Sequence, residues 1–138
     1  MPKNSDRDET LLKIRPSLKI EVESTDLSSI QYFQDSALRP ILKLQNDFLI
    51  QLAKHTLLVR YPDWNQIVPS KKLTLLSSWV SKDLEIKKQI EGSIIGLLTI
   101  TELAFYFENE REIQRRIRAF VLERIRIGLE VELKSEIS

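Results

Sequence analysis

One histidine and two amide side chains are the residues of this sequence that could most readily build a polar reaction site. His55 is the only histidine, and Gln45 and Asn46 come before it in the same helical stretch. An imidazole acts as a general base when a partner orients it in a pocket, and a metal site needs several ligands at suitable spacing. Neither arrangement is visible around His55, which predicts a partly buried structural histidine. Gln45, Asn46 and His55 are kept as an alternative polar site.

The arginine-rich stretch near the end of the chain could bind the phosphates of a nucleic acid. It contains Arg111, Arg115 and Arg118, which form a candidate basic face. Acidic residues are interspersed with the arginines, and Glu112 stands four residues before Arg116, a spacing that favours an ion pair on a helix. We therefore interpret this stretch as a salt-bridged solvent face, and weak nucleic-acid binding is a further alternative.

Two glycines four residues apart, Gly92 and Gly96, do not belong to a phosphate-binding loop. Such a loop is glycine-rich, follows a strand and is followed by a lysine, and none of these features is present. The spacing instead predicts a place where a neighbouring helix approaches closely.

The totals of the sequence exclude several classes of site. With no cysteine among 138 residues, the chain has no disulfide framework, thiolate nucleophile or zinc–thiolate site. We predict no metal and no cofactor. The formal net charge of +1 provides no global field that would attract nucleic acid or anionic lipid. No apolar run has the length of a membrane span and the first residues lack a secretory signal, which predicts a cytoplasmic protein with no membrane partner.

The elements that must position these residues are predicted to be helices. Only three glycines occur, too few for the many hairpin turns of a sheet protein. We predict an all-α fold, a compact single-domain bundle of five to seven helices with an extended N-terminal segment. Within residues 1–138, residues 1–27 hold a first helix from about Ser5 to Ile14 and an extended strap in which Leu18, Ile20 and Val22 alternate with charged residues. Residues 37–128 form the helical core, and the tail 129–138 fits a helix and a strand equally.

A central helix is predicted over about residues 37–60, with Pro40 in its first turn because proline lacks the N–H that an interior position would need. Its inner stripe is predicted to be Ile41, Phe48, Leu52 and Val59. Further apolar residues on and beyond this helix exceed what one small core would cover, and we predict that they form an interaction surface. This surface comprises Ile50, Leu57, Tyr61, Trp64, Phe105 and Tyr106. The alternative is that Leu18, Ile20 and Val22 of the N-terminal strap cover these residues within the same chain.

Local signals predict where the later helices begin and end. Asp83 is predicted to cap a new helix after a break near Lys82, and Thr99 with Glu102 forms a capping box that begins another. Ser70 is predicted to cap the helix before this break, and a further break is predicted near Asn109.

Several stretches, among them LRPILKLQN (residues 38–46), SKDLEIKKQIEGSIIG (81–96) and TITELAFYFEN (99–109), resemble a small all-helical family of bacterial proteins of about this length. The function of that family is not established, and some of its members carry the label glyoxalase. The resemblance implies a helical bacterial protein and transfers no site residues. Metal-dependent glyoxalases use a β-rich fold with a cluster of histidine and carboxylate ligands, whereas this sequence has one histidine in a helical stretch.

Two hypotheses of different class follow from the sequence. The favoured one is a non-catalytic interaction or scaffold module that binds an unknown protein partner or forms a homodimer through helix-to-helix apolar contact. The alternative is a small enzyme of the kind that the glyoxalase label implies, with its site at Gln45, Asn46 and His55.

Overall fold

Helices make up nearly all of the backbone in the computed structural model, which describes residues 5–16 and 29–137, with side chains as far as Glu130. In chain order they are α1 (Asp6–Ile14), α2 (Ile30–Phe33), a π-helix (Gln34–Leu38), α3 (Arg39–Leu44), α4 (Asn46–Arg60), a 3-10 turn (Trp64–Gln66), α5 (Pro69–Lys82), α6 (Leu84–Ile95), α7 (Ile100–Glu108) and α8 (Glu110–Ile137). No strand occurs among the described residues, so the all-α prediction is confirmed for them. When the continuous run from α2 to α3 is counted as one helix and the 3-10 turn is left out, the described residues form seven helices.

The first helix begins and ends where the sequence predicts. Ser5 caps α1, its hydroxyl accepting the Asp8 N–H at 3.1 Å, and three acidic residues in the first turn face the positive end of the helix dipole. The helix ends before Pro16. The extended segment predicted around Leu18, Ile20 and Val22 lies outside the described residues.

Local capping chemistry also fixes the later junctions. Asp83 separates α5 from α6, and its carboxylate accepts the Ile86 N–H at 3.1 Å. Thr99 and Glu102 form the predicted capping box at the start of α7. The start of α5 differs slightly from the prediction. The cap residue is Val68, not Ser70, and Pro69 is the first residue of the helix. Proline suits this position because the first helical N–H groups have no partner within the helix.

The predicted single helix over residues 37–60 is wrong. Gln45, with φ −90° and ψ 4°, separates α3 from α4. Pro40 does lie in the first turn of α3, but a π-helix precedes it in place of a cap. In an α-helix the proline ring would meet the carbonyl four residues earlier, and the wider π-helical turn relieves this conflict. The Arg39 N–H accordingly reaches back five residues to the Gln34 carbonyl.

The last helix is longer than predicted and settles the ambiguous tail. Its backbone continues to Ile137, so residues 129–137 of the tail are helical. The apolar pattern predicts that Ile113, Ile117, Phe120, Val121 and Ile125 face inward, and Phe120 is only half-buried. The other four recur every four residues and are fully buried.

The chain divides into two compact units. The first comprises Met1–Gln45 and Glu91–Ile117, and the second comprises Asn46–Ile90 and Arg118–Ser138. The buried apolar residues of the first unit include Phe33, Leu38, Ile41, Leu42, Ile94, Leu98 and Tyr106. Those of the second include Leu49, Ala53, Leu57, Trp64, Leu76, Trp79, Val80, Ile90 and Val121. In the first unit, Phe33 also stacks on Phe105 with ring centroids 5.0 Å apart.

The close helix contact of the second unit occurs at a different glycine from the predicted pair. Gly92 is exposed, and a Cβ placed on it would have no neighbour within 4 Å. Gly96 is also exposed, and its Cβ would meet only the Gly92 carbonyl oxygen, at 2.9 Å. A Cβ on Gly128, by contrast, would lie 2.3 Å from Cδ1 of Ile50. Helices α4 and α8 therefore approach each other so closely at Gly128 that a side chain there would force the Ile50 side chain to move.

Candidate functional site

The predicted interaction surface is wrong, because most of its residues do not lie on the surface of the protein. Ile50, Leu57, Trp64 and Tyr106 are buried within the chain, so they cannot present an open surface. The Tyr106 hydroxyl accepts a hydrogen bond from the Gln114 amide at 2.9 Å, and burial raises its pKa. Two further predicted members, Tyr61 and Phe105, are partly exposed, and Tyr61 lies beside Trp64 with ring centroids 6.3 Å apart.

The rotation of α4 explains this error. Its buried face consists of Leu49, Ile50, Ala53 and Leu57. A continuous helix would have kept Phe48 on the same face as Ile41, seven residues earlier. Because the chain breaks at Gln45, α4 adopts its own rotation, and Phe48 and Val59 leave 48% and 69% of their surface exposed.

The opposite side of α4 forms a continuous uncharged stripe, which we call the α4 outer face. It comprises Phe48, Leu52, His55 and Val59, at spacings of four, three and four residues. At 3.6 residues per turn these four side chains lie within about 60° of the helix circumference. Leu52 is half-buried and the other three are exposed. Exposed apolar residues are common singly, but a run of them along one helix side is typical of a contact surface.

Polar contacts at both ends hold α4 within its unit. At its start, Oδ1 of Asn46 accepts a hydrogen bond from Arg124 at 3.2 Å. At its end, Arg60 pairs with Asp83, the two side chains 2.5 Å apart. Within the helix, the Thr56 hydroxyl donates to the Leu52 carbonyl at 2.8 Å. The α4 outer face is therefore presented on a helix fixed at its two ends.

The alternative polar site does not assemble on α4. Asn46 and His55 are nine residues apart, which is two and a half turns, so they project from opposite sides and are about 13 Å apart along the axis. The Gln45 amide is already used, since it donates to the Ser93 carbonyl at 2.9 Å. His55 is exposed, which contradicts the prediction of a partly buried histidine. It lies in the α4 outer face because of the rotation described above.

The π-helix carries a buried carboxylate that the sequence did not single out. Asp35 has 7% of its surface exposed. It accepts a hydrogen bond from the Gln31 amide at 2.9 Å, and the Arg39 guanidinium lies 3.6 Å away. π-helical turns are frequent at functional sites. The sequence signal of this π-helix is an acidic residue five positions before Pro40. Because donors of its own helical stretch satisfy it, Asp35 serves as an internal anchor of that stretch.

One member of the basic face, Arg115, shares a carboxylate with its neighbour Arg116. Arg115 and Arg116 both donate to Glu112, at 2.6 and 2.9 Å, and the predicted pair four residues apart is confirmed. Arg111 is exposed and Arg118 is half-buried. The interpretation of this stretch as a salt-bridged solvent face is therefore confirmed at Arg115 and Arg116.

This pairing predicts an unusually acidic glutamate. Hydrogen bonds from Arg115 and then from Arg116 lower the pKa of Glu112 to about 2 from an ordinary value of 4.5. We expect a carbon-detected nuclear magnetic resonance titration to give Glu112 a pKa well below the ordinary glutamate value of 4.5. Changing both Arg115 and Arg116 to glutamine should return it toward 4.5, and a Glu112 that titrates normally in the unaltered chain would refute the pairing.

Among the described residues, no group of three or more histidine or carboxylate side chains is placed to hold a metal ion. Nor does any helix in that part of the chain combine the length and apolarity needed to cross a membrane. The resemblance to the glyoxalase-labelled family stays a prediction. Comparison with protein family models, with curated protein sequences and with solved structures finds no match to this chain.

Proposed function

We propose that this chain is a non-catalytic helical interaction module that pairs with a second copy of itself through the α4 outer face. One observation carries the proposal. Three exposed side chains and the half-buried Leu52, none of them acidic, lysine or arginine, line one side of a helix whose other side is buried. The cytoplasmic location inferred from the sequence and the bacterial origin implied by the resemblance belong to the same proposal.

A second copy is the occupant that the chemistry favours. The α4 outer face contains no aspartate, glutamate, lysine or arginine, so two copies can meet there without bringing such like charges together. The net charge of +1 adds little long-range repulsion between them. Twofold pairing is the commonest symmetry of soluble oligomers, and it needs only one surface that fits its own copy.

The pairing is expected to be reversible. Helix α4 has 15 residues and is about 22 Å long, so one of its sides supplies less contact than the roughly 1,600 Å² of a standard interface. We therefore predict a monomer–dimer equilibrium that depends on protein concentration.

Light scattering after size exclusion, over a wide range of concentration, tests this prediction. The unaltered chain should rise toward twice the monomer mass, and Val59→Glu should remain monomeric because it places a charge in the contact. Val68→Glu is a matched control, since Val68 is similarly exposed, at 60%, and lies outside α4. A mass of one chain at every concentration, or equal loss of pairing in both variants, would rule out the α4 outer face.

The two other hypotheses predict different experimental results. The enzyme hypothesis requires turnover, for example of the methylglyoxal–glutathione adduct, that disappears in His55→Ala. The nucleic-acid hypothesis requires salt-dependent binding that weakens when Arg111 and Arg115 become glutamine. Either result would replace the proposal of a non-catalytic self-pairing module.

A further inference from the structure

Helix α1 is attached to the first unit through arginines that reach the turn between α6 and α7. We call residues 96–99 together with Glu102 the α6–α7 corner. Nη2 of Arg7 donates to the Gly96 carbonyl at 2.7 Å, and its Nη1 donates to the Leu98 carbonyl at 3.0 Å. One guanidinium therefore binds two carbonyls of the corner.

A second guanidinium occupies the rest of the corner. Nη1 of Arg15 donates to Oε2 of Glu102 at 2.7 Å, and its Nη2 contacts Oε1 of the same carboxylate, a two-point pairing typical of arginine. Nη2 also donates to the Leu97 carbonyl at 3.2 Å. The Arg15 side chain has only 9% of its surface exposed, so this group fills an enclosed position.

The chemistry of the corner suits guanidinium groups in particular. The carbonyls of residues 96–98 follow the C-terminal end of α6, where the helix dipole is negative. With the Glu102 carboxylate they form a set of acceptors for the two arginines. The planar guanidinium, with five N–H donors, matches such a set better than the compact ammonium of lysine.

The corner also has hydrogen bonds of its own. The Thr99 hydroxyl accepts the Glu102 N–H at 3.3 Å, and Glu102 accepts the Thr99 N–H at 2.9 Å. These hydrogen bonds join residues of the corner to each other, so its acceptors are positioned by their own segment of chain.

Helix α1 contributes little apolar burial. Leu12 and Ile14 are both exposed, and the buried residue of α1 is Asp8, which accepts the Ile100 N–H at 3.2 Å. The attachment of α1 therefore depends on directional polar contacts, which another helix with the same residues can form in its place.

We propose that the α6–α7 corner is a recognition site for a helix with one arginine in its first turn and a second arginine directly after its last residue, and that α1 with Arg15 is its resident ligand. The partner that fits is the α1 helix of a second copy, exchanged for the chain's own. This site is independent of the α4 outer face and does not rest on the function proposed above.

The test uses a variant of the chain in which Arg7 and Arg15 are both changed to alanine. A fluorescent peptide with the sequence of residues 5–16 should bind this variant about tenfold or more tightly than the unaltered chain, whose tethered α1 competes for the corner. A peptide with both arginines changed to lysine should lose most of this binding. Equal binding of both peptides, or no binding to the variant, would overturn the proposal.

A second measurement covers the case in which the double alanine variant fails to fold. The unaltered chain, labelled with ¹⁵N, is titrated with the same two peptides. The arginine peptide should shift the amide signals of residues 96–102, and the lysine peptide should leave them in place. An absence of shifts at millimolar arginine peptide would refute exchange of α1 at the corner.

Discussion

Glu102→Gln is expected to lower the free energy of unfolding by about 2–3 kcal/mol, since removing one partner of a buried ion pair leaves the other charge without compensation. Its partner, Arg15, is enclosed, whereas a fifth of the Glu102 side chain is exposed, so we expect less than the full cost of a completely buried pair. Glutamine keeps the shape of the side chain and can still accept the Thr99 N–H. The loss therefore reports the charge, and chemical denaturation measures it.

An exposed ion pair supplies the control. Glu123 pairs with Arg126, but more than half of the Glu123 side chain is exposed. Solvent screens such pairs, so Glu123→Gln should leave the denaturation midpoint nearly unchanged. Equal effects of the two substitutions would mean that the Arg15–Glu102 pair is no stronger than a surface pair.

The same pair predicts acid sensitivity. Burial, the largest single influence, raises the pKa of the Glu102 carboxyl, but hydrogen bonds from Arg15 and Thr99 with the Arg15 charge together lower it below 4.5. A carboxyl whose pKa is lowered by folding stabilises the fold above its unfolded value and loses this contribution as the pH falls. Stability of the unaltered chain should therefore fall more steeply below about pH 4.5 than that of Glu102→Gln.

The parts of the fold that were predictable from sequence are those with local causes. Ser5, Asp83 and Thr99 each accept an N–H from within their own helix, three residues on, so the sequence alone contains the whole interaction. The four-residue recurrence of buried isoleucine and valine residues in α8 is local in the same sense. Helix starts and the core face of the longest helix were accordingly predicted well.

The rotation of α4 could not be predicted because its sequence carries two apolar stripes. Leu49, Ala53 and Leu57 form one, and Phe48, Leu52 and Val59 form the other. Which stripe is buried depends on the break at Gln45, whose amide donates to Ser93, 48 residues away. A break fixed by a distant carbonyl leaves no periodic signal, and the predicted interaction surface was wrong for this reason.

The α6–α7 corner was missed for a related cause. Arg7 and Arg15 bind acceptors 82 to 91 residues away, mostly main-chain carbonyls, which have no residue signature. In the sequence these arginines read as solvent-facing charges of a short helix. Only Glu102 was singled out, and then for its capping box, not for its pairing with Arg15.

Gly128→Ala is expected to destabilise the second unit although alanine is the better helix former. The new Cβ would lie 2.3 and 2.6 Å from Cδ1 and Cγ1 of Ile50, well inside contact distance. Overpacking costs about 1–3 kcal/mol, and a clash this short belongs at the upper end. Alanine recovers about 1 kcal/mol of helix propensity, which leaves a net loss of about 2 kcal/mol in chemical denaturation.

Gly92→Ala is the matched control, because it has the same gain in propensity and no clash. It should stabilise the chain by about 0.5–1 kcal/mol. The opposite signs of the two substitutions would separate contact at Gly128 from propensity alone, and destabilisation of similar size at both positions would contradict the close approach of α4 and α8.

The clash also predicts that Ile50→Ala and Gly128→Ala compensate each other. Alone, Ile50→Ala should cost about 2–5 kcal/mol, since it leaves a cavity beside Gly128. In the double variant the new methyl group enters that cavity and meets none of the three Ile50 carbons that now crowd it. The two losses should therefore sum to at least about 1 kcal/mol more than the loss of the double variant, which is the coupling expected of residues in contact. Strict additivity would show that the alanine at position 128 finds room in another way, and that Ile50 does not set the distance between the two helices.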